Sequence, residues 1–373
     1  MSAEEHRRFK RRLLAQIARR AAAASNPISA GLLRRERSRF LGSHAVQCAT
    51  LYDIWVEELG TAEAAQRWKA AQIPPIVPKD ICRFRSAPVE WYNMPRRTSG
   101  FRKICRFGDV EKMWHRMARD LITSQHEPRA HVGDWPGRGR DQQINSLISA
   151  VKSGKQAVVC ADIRRAFASV NTDAAYDLHF LPEPMIRRAI DYRTHSFVRR
   201  ERRRFAEAFA LAMPSDLEVA PSGLMEGSPA SNAIFAVLMD DLPDHVGSDI
   251  QVFSYCDNII LLAPSITQAQ RAEIALVAYF TSHRAGPFEV VTHAQSVCSP
   301  FDHLGYELRW DRKIKASLSL ANWLRFMERI EHGDGEAARL FVRSSFPACT
   351  ASHLANYETI ISDEAHTFAE HTA

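Results

Sequence analysis

The sequence predicts an α+β chain: a helical N-terminal extension, a mixed middle region, an antiparallel sheet and a short helical C-terminal region. Three observations carry that class. Helical patterns run over residues 5–24 and 44–72. The apolar run Ala157-Val158-Val159-Cys160-Ala161-Asp162 reads as a short strand ending on an acid. The stretch VFSYCDNIILL, residues 252–262, sets two β-branched or aromatic runs around a tight polar tip and reads as a hairpin.

Taken in order, the first helix breaks at Ser25-Asn26-Pro27. The second helical region ends at Pro74-Pro75-Ile76-Val77-Pro78, because proline removes a donor and restricts its predecessor. That is the first boundary and closes a basic helical extension, residues 1–79. Residues 80–105 turn β-like around Pro95-Arg96-Arg97-Thr98-Ser99-Gly100, and a helix follows over 108–124. The irregular patch Gly133-Asp134-Trp135-Pro136-Gly137-Arg138-Gly139-Arg140 precedes a helix over 141–153. The acid-ended strand comes next, then a Gly-rich turn at 223–232 that opens a helix, then the hairpin. Leu318, Leu320, Trp323, Leu324, Met327 and Ile330 form an amphipathic segment suited to a packed helix.

At 373 residues and 46% hydrophobic, the chain can bury a large core, which excludes a disordered protein. Its seven cysteines are scattered without a CxxC pair, so reduced thiols in a cytoplasmic chain are expected, with no disulfide framework and no structural zinc. No run of eighteen apolar residues and no signal-peptide core are seen, so no membrane partner is expected. The net charge of +6 is concentrated: residues 1–40 hold eleven Lys and Arg against three Glu. Further basic clusters lie at Arg96-Arg97 and at Arg199-Arg200-Glu201-Arg202-Arg203-Arg204. Together with Arg138 they suit a nucleic-acid backbone, to which they bind by counterion release.

Several motifs follow one another in a fixed order. ADIRRAFASVN places Asp162, Phe167, Ser169 and Val170; GLMEGSPASN places Gly223, Gly227, Ser228, Pro229 and Ser231; the hairpin places Tyr255 and Asp257. Leu304-Gly305-Tyr306 comes after them, and Arg96, Arg97, Gly100 and Arg102 come before. Over about residues 90–310 this succession resembles the palm region of reverse transcriptases. The resemblance implies a right-hand polymerase with fingers at 80–156, an antiparallel-sheet palm at 157–310 and a short helical thumb at 311–373. It implies RNA-directed DNA synthesis from dNTPs, with a non-coding RNA template and a DNA product as partners. A stand-alone bacterial, defence-associated enzyme is the general type it suggests.

Two-metal nucleotidyl transfer needs carboxylates brought together from separate strands, and Asp162 and Asp257 are the candidate pair. The Ile163 carbonyl and Asn258 are candidates to complete the shell of Mg2+, with Mn2+ the alternative. The resemblance further implies that Phe167 lies under the incoming sugar and disfavours a 2′-hydroxyl. Arg96, Arg97, Arg102 and Arg165 would clamp the triphosphate with their donor forks. Gly223, Glu226 and Gly227 would line the nucleotide. Asn258 stands where a second aspartate is usual, Glu226 where glutamine is common, and Val290-Val291-Thr292-His293-Ala294-Gln295 lacks an expected lysine. His293 there is either a substitute proton donor or a solvated loop residue. Asp240 and Asp241 mimic the double-aspartate signature but continue a helical run, and are assigned to its end. The alternative class is a polymerase-shaped RNA-binding protein with weakened chemistry.

Overall fold

In the computed structural model, residues 2–24, 27–70, 80–95, 101–200, 219–311, 313–332 and 334–372 are described. Among them the longer helices are α1 (Ala3–Ala22), α2 (Pro27–Gly42), α3 (His44–Leu59), α4 (Thr61–Ala70), α5 (Asp109–Gln125), α6 (Arg140–Lys152), α7 (Ser231–Leu238), α8 (Ile266–Ser282), α9 (Leu320–Glu331), α10 (Gly335–Ser345) and α11 (Ala351–Thr372). The strands are β1 (Val89–Pro95), β2 (Phe101–Arg106), β3 (Ala157–Ile163), β4 (Phe197–Arg199), β5 (Gln251–Tyr255), β6 (Asn258–Ala263), β7 (Val290–Ser296), β8 (Phe301–His303), β9 (Tyr306–Asp311) and β10 (Lys313–Leu318). The class is α+β, as the sequence predicts. The chain divides into two units: Met1–Glu127, Arg165–Leu238 and His283–Pro287 in the first; Pro128–Arg164, Met239–Ser282 and Phe288–Ala373 in the second.

The first unit begins with a capped helix. Ser2 and Glu5 form a capping box at the start of α1, each side chain accepting from the other's backbone N–H. The inner face of α1 buries Leu13, Ile17 and the Lys10 stem. Lys10 Nζ reaches Asp53 at 3.0 Å and Asp120 at 2.8 Å, and Arg7 reaches Asp53 at 2.6 Å. Two of the N-terminal basic residues thus bind α1 to α3 and α5 instead of standing free for a partner. Removing Lys10 would leave Asp53 with Arg7 and Asp120 with Arg116 at 3.6 Å, weakening the tie between the helices without leaving either carboxylate unpaired. The single helical region expected over 44–72 is two helices, because Gly60 adopts φ +82° and stops α3. The proline-rich boundary at 74–78 and the turn residues 96–100 lie outside the described residues. Trp114, Met113, Met117, Leu121 and Ile122 of α5 are fully buried. The small sheet has the order β2-β1-β4, with β1 antiparallel to β2 and parallel to β4.

The second unit is organised around an antiparallel sheet of order β5-β6-β3-β7. Its central strands are nearly all apolar because both faces are covered, and Val158, Ile260 and Leu262 pack with Ile144 and Leu147 of α6 in one core. That core continues through Tyr306, Leu308, Phe326 and Tyr357, which join the sheet β10-β9-β8 to the C-terminal helices.

The amphipathic segment beginning at Leu318 forms the end of β10 and α9, and Leu318, Trp323, Met327 and Ile330 of the expected set face the core. Leu320 and Leu324 are 67% and 59% exposed, whereas Asn322, Phe326 and Ile330 are buried. Asn322 sets that face: its Nδ2 donates to the Gly305 carbonyl at 2.9 Å, at a left-handed turn (φ +87°) where a Cβ would lie 2.5 Å from the same nitrogen. Among the described residues, no helix is long and apolar enough to cross a membrane.

Candidate active site

The hairpin tip is built by two residues. Tyr255 pairs with Asn258, which leaves Cys256 and Asp257 as the whole loop. Cys256 has φ +51° and is the only one of the two in the left-handed region, the pattern of a II′ turn, whose first position is usually glycine. Strand β3 lies beside β6 with Asp162 directly opposite Asn258, and the Ile163 N–H donates to the Asp257 carbonyl at 3.0 Å. Two acids separated by 95 positions therefore meet at one end of the sheet. Asp162 is exposed and Asp257 half-buried. The Asn258 amide donates to Asp257 Oδ1 at 3.0 Å.

This donor set fits a small divalent ion. It offers hard oxygens at a solvent-accessible edge, and among the described residues no set of three or more His, Cys, Asp or Glu encloses a metal. Magnesium suits such an open site, because it binds through one or two carboxylates and keeps water and substrate phosphates in its shell. The Ile163 carbonyl is at the right strand end to contribute, and Asn258 is already engaged with Asp257 through its amide.

A loop of the same unit touches the tip. Cys256 Sγ donates to Asp134 Oδ2 at 3.1 Å. Burial raises the Asp134 pKa above the usual carboxylate range, and nearby Asp257 adds to the effect. Burial also pushes up the Cys256 thiol, as it does the Tyr255 phenol. Asp134 carried no signal in the sequence: it lies in an irregular patch 122 positions from Cys256.

The first unit holds Phe167 and the Gly-rich motif. Gly223, at φ +65°, lies against the carbonyl of Phe167, where a Cβ would approach to 2.2 Å. The Leu224 N–H donates to that carbonyl at 2.8 Å. The Phe167 ring packs on Phe235 with centroids 5.4 Å apart. Gly227, at φ +105°, lies so close to the Cys105 carbonyl that a Cβ would be 2.3 Å away, and the Cys105 N–H donates to the Glu226 carbonyl at 2.8 Å. Close backbone approach is the reason both positions are glycine. Glu226 faces Arg102 at 4.0 Å. Arg165 is exposed at φ +49°.

The basic candidates separate. Arg96, Arg97, Arg202 and Arg203 lie outside the described residues. Arg199 lies 5.9 Å from the centre of the Trp91 ring, and Arg200 pairs with Glu90 at 2.9 Å. Arg200 also lines a cavity of about 610 Å³ in the first unit with Tyr92, Arg106, Lys112 and Gly227, of which only Arg200 and Gly227 carried a sequence signal. Arg138 has partners within its own loop. Its guanidinium donates to the carbonyls of Arg129 at 2.6 Å, Pro128 at 2.7 Å and Val132 at 3.0 Å, so it braces its own loop. His293 is not in a loop but exposed on β7, opposite Cys160. Asp240 and Asp241 follow the end of α7 and have structural partners: Asp240 accepts from the Arg129 N–H at 2.7 Å and Asp241 from the Tyr279 hydroxyl at 2.6 Å.

No family model matches the chain, and no curated protein sequence matches it. Among solved structures it is similar to a telomerase from Candida albicans in complex with a fragment of telomeric RNA, at 11% identity and TM-score 0.44 over 78% of this chain and 57% of that one. It is also similar to a C-terminally truncated apo telomerase from Candida tropicalis, at 9% identity and TM-score 0.41 over 62% and 56%. A sicinivirus 3Dpol RNA-dependent RNA polymerase gives 10% identity and TM-score 0.44 over 75% and 64%. The chain spans less than two thirds of the length of each. Similarity of this degree concerns chain path alone and carries no chemistry.

Proposed function

We propose that the chain is a reverse-transcriptase-like DNA polymerase that adds deoxynucleotides to a primer by two-metal nucleotidyl transfer. The observation that supports it best is the meeting of Asp162 and Asp257 at the β3–β6 edge, within a chain that carries the Gly-rich motif between them. Neither acid alone distinguishes catalysis from a turn. Their convergence at one end of the adjacent strands β3 and β6 is what supports the reading.

On this reading Asp162 and Asp257, aided by the Ile163 carbonyl, hold Mg2+ or Mn2+. Such ions, when bound, would supply activation of a primer hydroxyl and neutralisation of charge on the triphosphate and leaving group. The sheet fixes the acids: the β3–β6 ladder sets the position of Asp162, and the Ile163–Asp257 hydrogen bond sets the turn. In the first unit, the packed ring of Phe167 selects against a 2′-hydroxyl, and the backbone at Gly223 and Gly227 contacts the nucleotide. Arg96, Arg97, Arg102 and Arg165 neutralise phosphate. RNA is the template partner, held by exposed arginines such as Arg12, Arg19, Arg34 and Arg35 together with Arg199 and Arg200. A cytoplasmic role in phage defence completes the proposal. Incubating purified protein with labelled dNTPs, Mg2+ or Mn2+, and its co-purified RNA tests it. Incorporation that disappears in Asp162→Ala and in Asp257→Ala is expected; none in the wild-type protein, or incorporation indifferent to both changes, would refute it.

A specific observation favours a second reading. The Asn258 amide engages one oxygen of Asp257, so the tip has less negative charge and less free carboxylate than a double aspartate would provide. A polymerase-shaped RNA-binding protein with weakened chemistry accommodates that arrangement. If RNA binding and biological function both survive Asp257→Asn, this second reading stands in place of the first.

A further inference from the structure

We infer that Asp134 is a positioning residue for the catalytic turn, acting through the thiol of Cys256; the inference rests on the polymerase reading of Asp257. The turn needs outside support. Cys256 occupies a left-handed conformation that a side chain with a Cβ disfavours, and such residues persist where their surroundings over-determine them, often at functional sites. Asp257 is the next residue, so any relaxation of Cys256 toward ordinary backbone angles re-aims the metal-binding carboxylate.

The support is a loop fastened along the strand that leads into the turn. Val132 bridges Ser254 in parallel. The Gly133 N–H donates to the Ser254 carbonyl at 2.8 Å, and the Ser254 N–H donates to the His131 carbonyl at 2.8 Å. Gln143 of α6 donates to that same Ser254 carbonyl at 2.8 Å. Gly133 permits this closeness, since a Cβ there would fall 2.6 Å from the Gln143 side chain. Asp134 follows directly and takes the hydrogen bond from Cys256 Sγ. The loop itself is stiff, because Arg138 ties three of its carbonyls together and Arg129 is anchored at 2.6 Å to Asp244. Asp134 is therefore the last link of a rigid strap, and the only one that grips the turn itself among these contacts. An acceptor is what the position needs; the thiol satisfies its own donor there and is held in one rotamer.

Four variants of the full chain decide it: Asp134→Ala, Asp134→Asn, Cys256→Ala and the double Asp134→Ala/Cys256→Ala. Asp134→Asn keeps an acceptor oxygen. In primer extension, Asp134→Ala is expected to lower kcat roughly tenfold to a hundredfold, the range for a misplaced catalytic group, with KM for dNTP unchanged and a higher Mg2+ concentration at half-saturation. Asp134→Asn restores most of the rate. Cys256→Ala lowers the rate in the same way but by no more than Asp134→Ala, because the Cys256 backbone N–H still faces the carboxylate, and the double variant is no worse than Asp134→Ala, as one shared contact requires. Amide hydrogen exchange on the same proteins is expected to quicken at residues 255–258 in Asp134→Ala and return in Asp134→Asn, while the β3–β6 ladder stays protected.

Equal kcat in Asp134→Ala and wild type, an Asp134→Asn variant as impaired as Asp134→Ala, or additive losses in the double variant would each overturn the inference. If wild-type protein incorporates no nucleotide, the polymerase reading fails, and the exchange pattern alone still decides whether the strap holds the turn. If Asp134→Ala does not fold, Cys256→Ala and Asp134→Asn test the same contact from its two ends: loss in the first with activity kept in the second supports it, and any other pairing overturns it.

Discussion

Replacing Gly223 by alanine tests how closely the Gly-rich motif is pressed onto the segment that carries Phe167. The new Cβ would lie 2.2 Å from the Phe167 carbonyl oxygen and 2.8 Å from the Ala168 carbonyl carbon, where ordinary carbon–oxygen contacts begin near about 3.3 Å. The two segments must therefore part by roughly 1 Å, which breaks the 2.8 Å Leu224–Phe167 hydrogen bond and costs about 0.5–1.5 kcal/mol. Holding alanine at φ +65° costs about 1–2 kcal/mol more. Together the loss is about 1.5–3.5 kcal/mol, a fall in Tm of roughly 2–5 °C for a chain of this length, readable by thermal unfolding. Gly137→Ala is the control: its φ is +84°, but nothing lies within 4 Å of the Cβ position, so only the backbone term applies. If Gly223→Ala destabilises no more than Gly137→Ala, the close approach is not what makes Gly223 a glycine.

Phe167→Ala, assayed by competition between ribo- and deoxynucleotides, is expected to raise relative ribonucleotide use by roughly tenfold; unchanged discrimination would show that the ring is only a core residue. Burial holds His115 and His303 neutral, with each pKa lowered to about 3. Because the folded values lie below the unfolded one, their contribution to stability is complete above about pH 6.5 and is lost as pH falls toward 3, at about 1.4 kcal/mol per pH unit for each. Denaturant titrations between pH 7 and 5 should show that slope, and His115→Leu should flatten it. Arg138→Ala is expected to lower stability by about 1–3 kcal/mol while leaving the salt dependence of RNA binding unchanged, whereas Arg199→Ala/Arg200→Ala should reduce that dependence.

The strands that bear the acids were legible because their apolar runs end abruptly on polar residues: Asp162 closes one, and the tip of residues 255–258 separates two others. The glycines were legible for a similar reason, since a Gly-rich turn before a helix implies backbone packed close to something. What the sequence hid were the partners. Asp134 gave no sign of its tie to Cys256, because the contact joins an irregular loop to a turn far along the chain and follows no periodicity. Arg138 and Lys10 read as surface charge, since a basic side chain looks the same whether it meets solvent, a carbonyl or a buried carboxylate. The inward face of α9 was legible at Trp323, Met327 and Ile330 but not at Leu320 and Leu324, which are exposed, nor at Asn322, whose buried amide is held by the Gly305 carbonyl.

The most direct measurement is anomalous diffraction from crystals grown with Mn2+ and a non-hydrolysable dNTP analogue. The account predicts two manganese peaks about 4 Å apart, both within coordinating distance of Asp162 and Asp257, and their loss in Asp257→Asn crystals. Manganese absent from that edge, or bound elsewhere without either carboxylate, would contradict it.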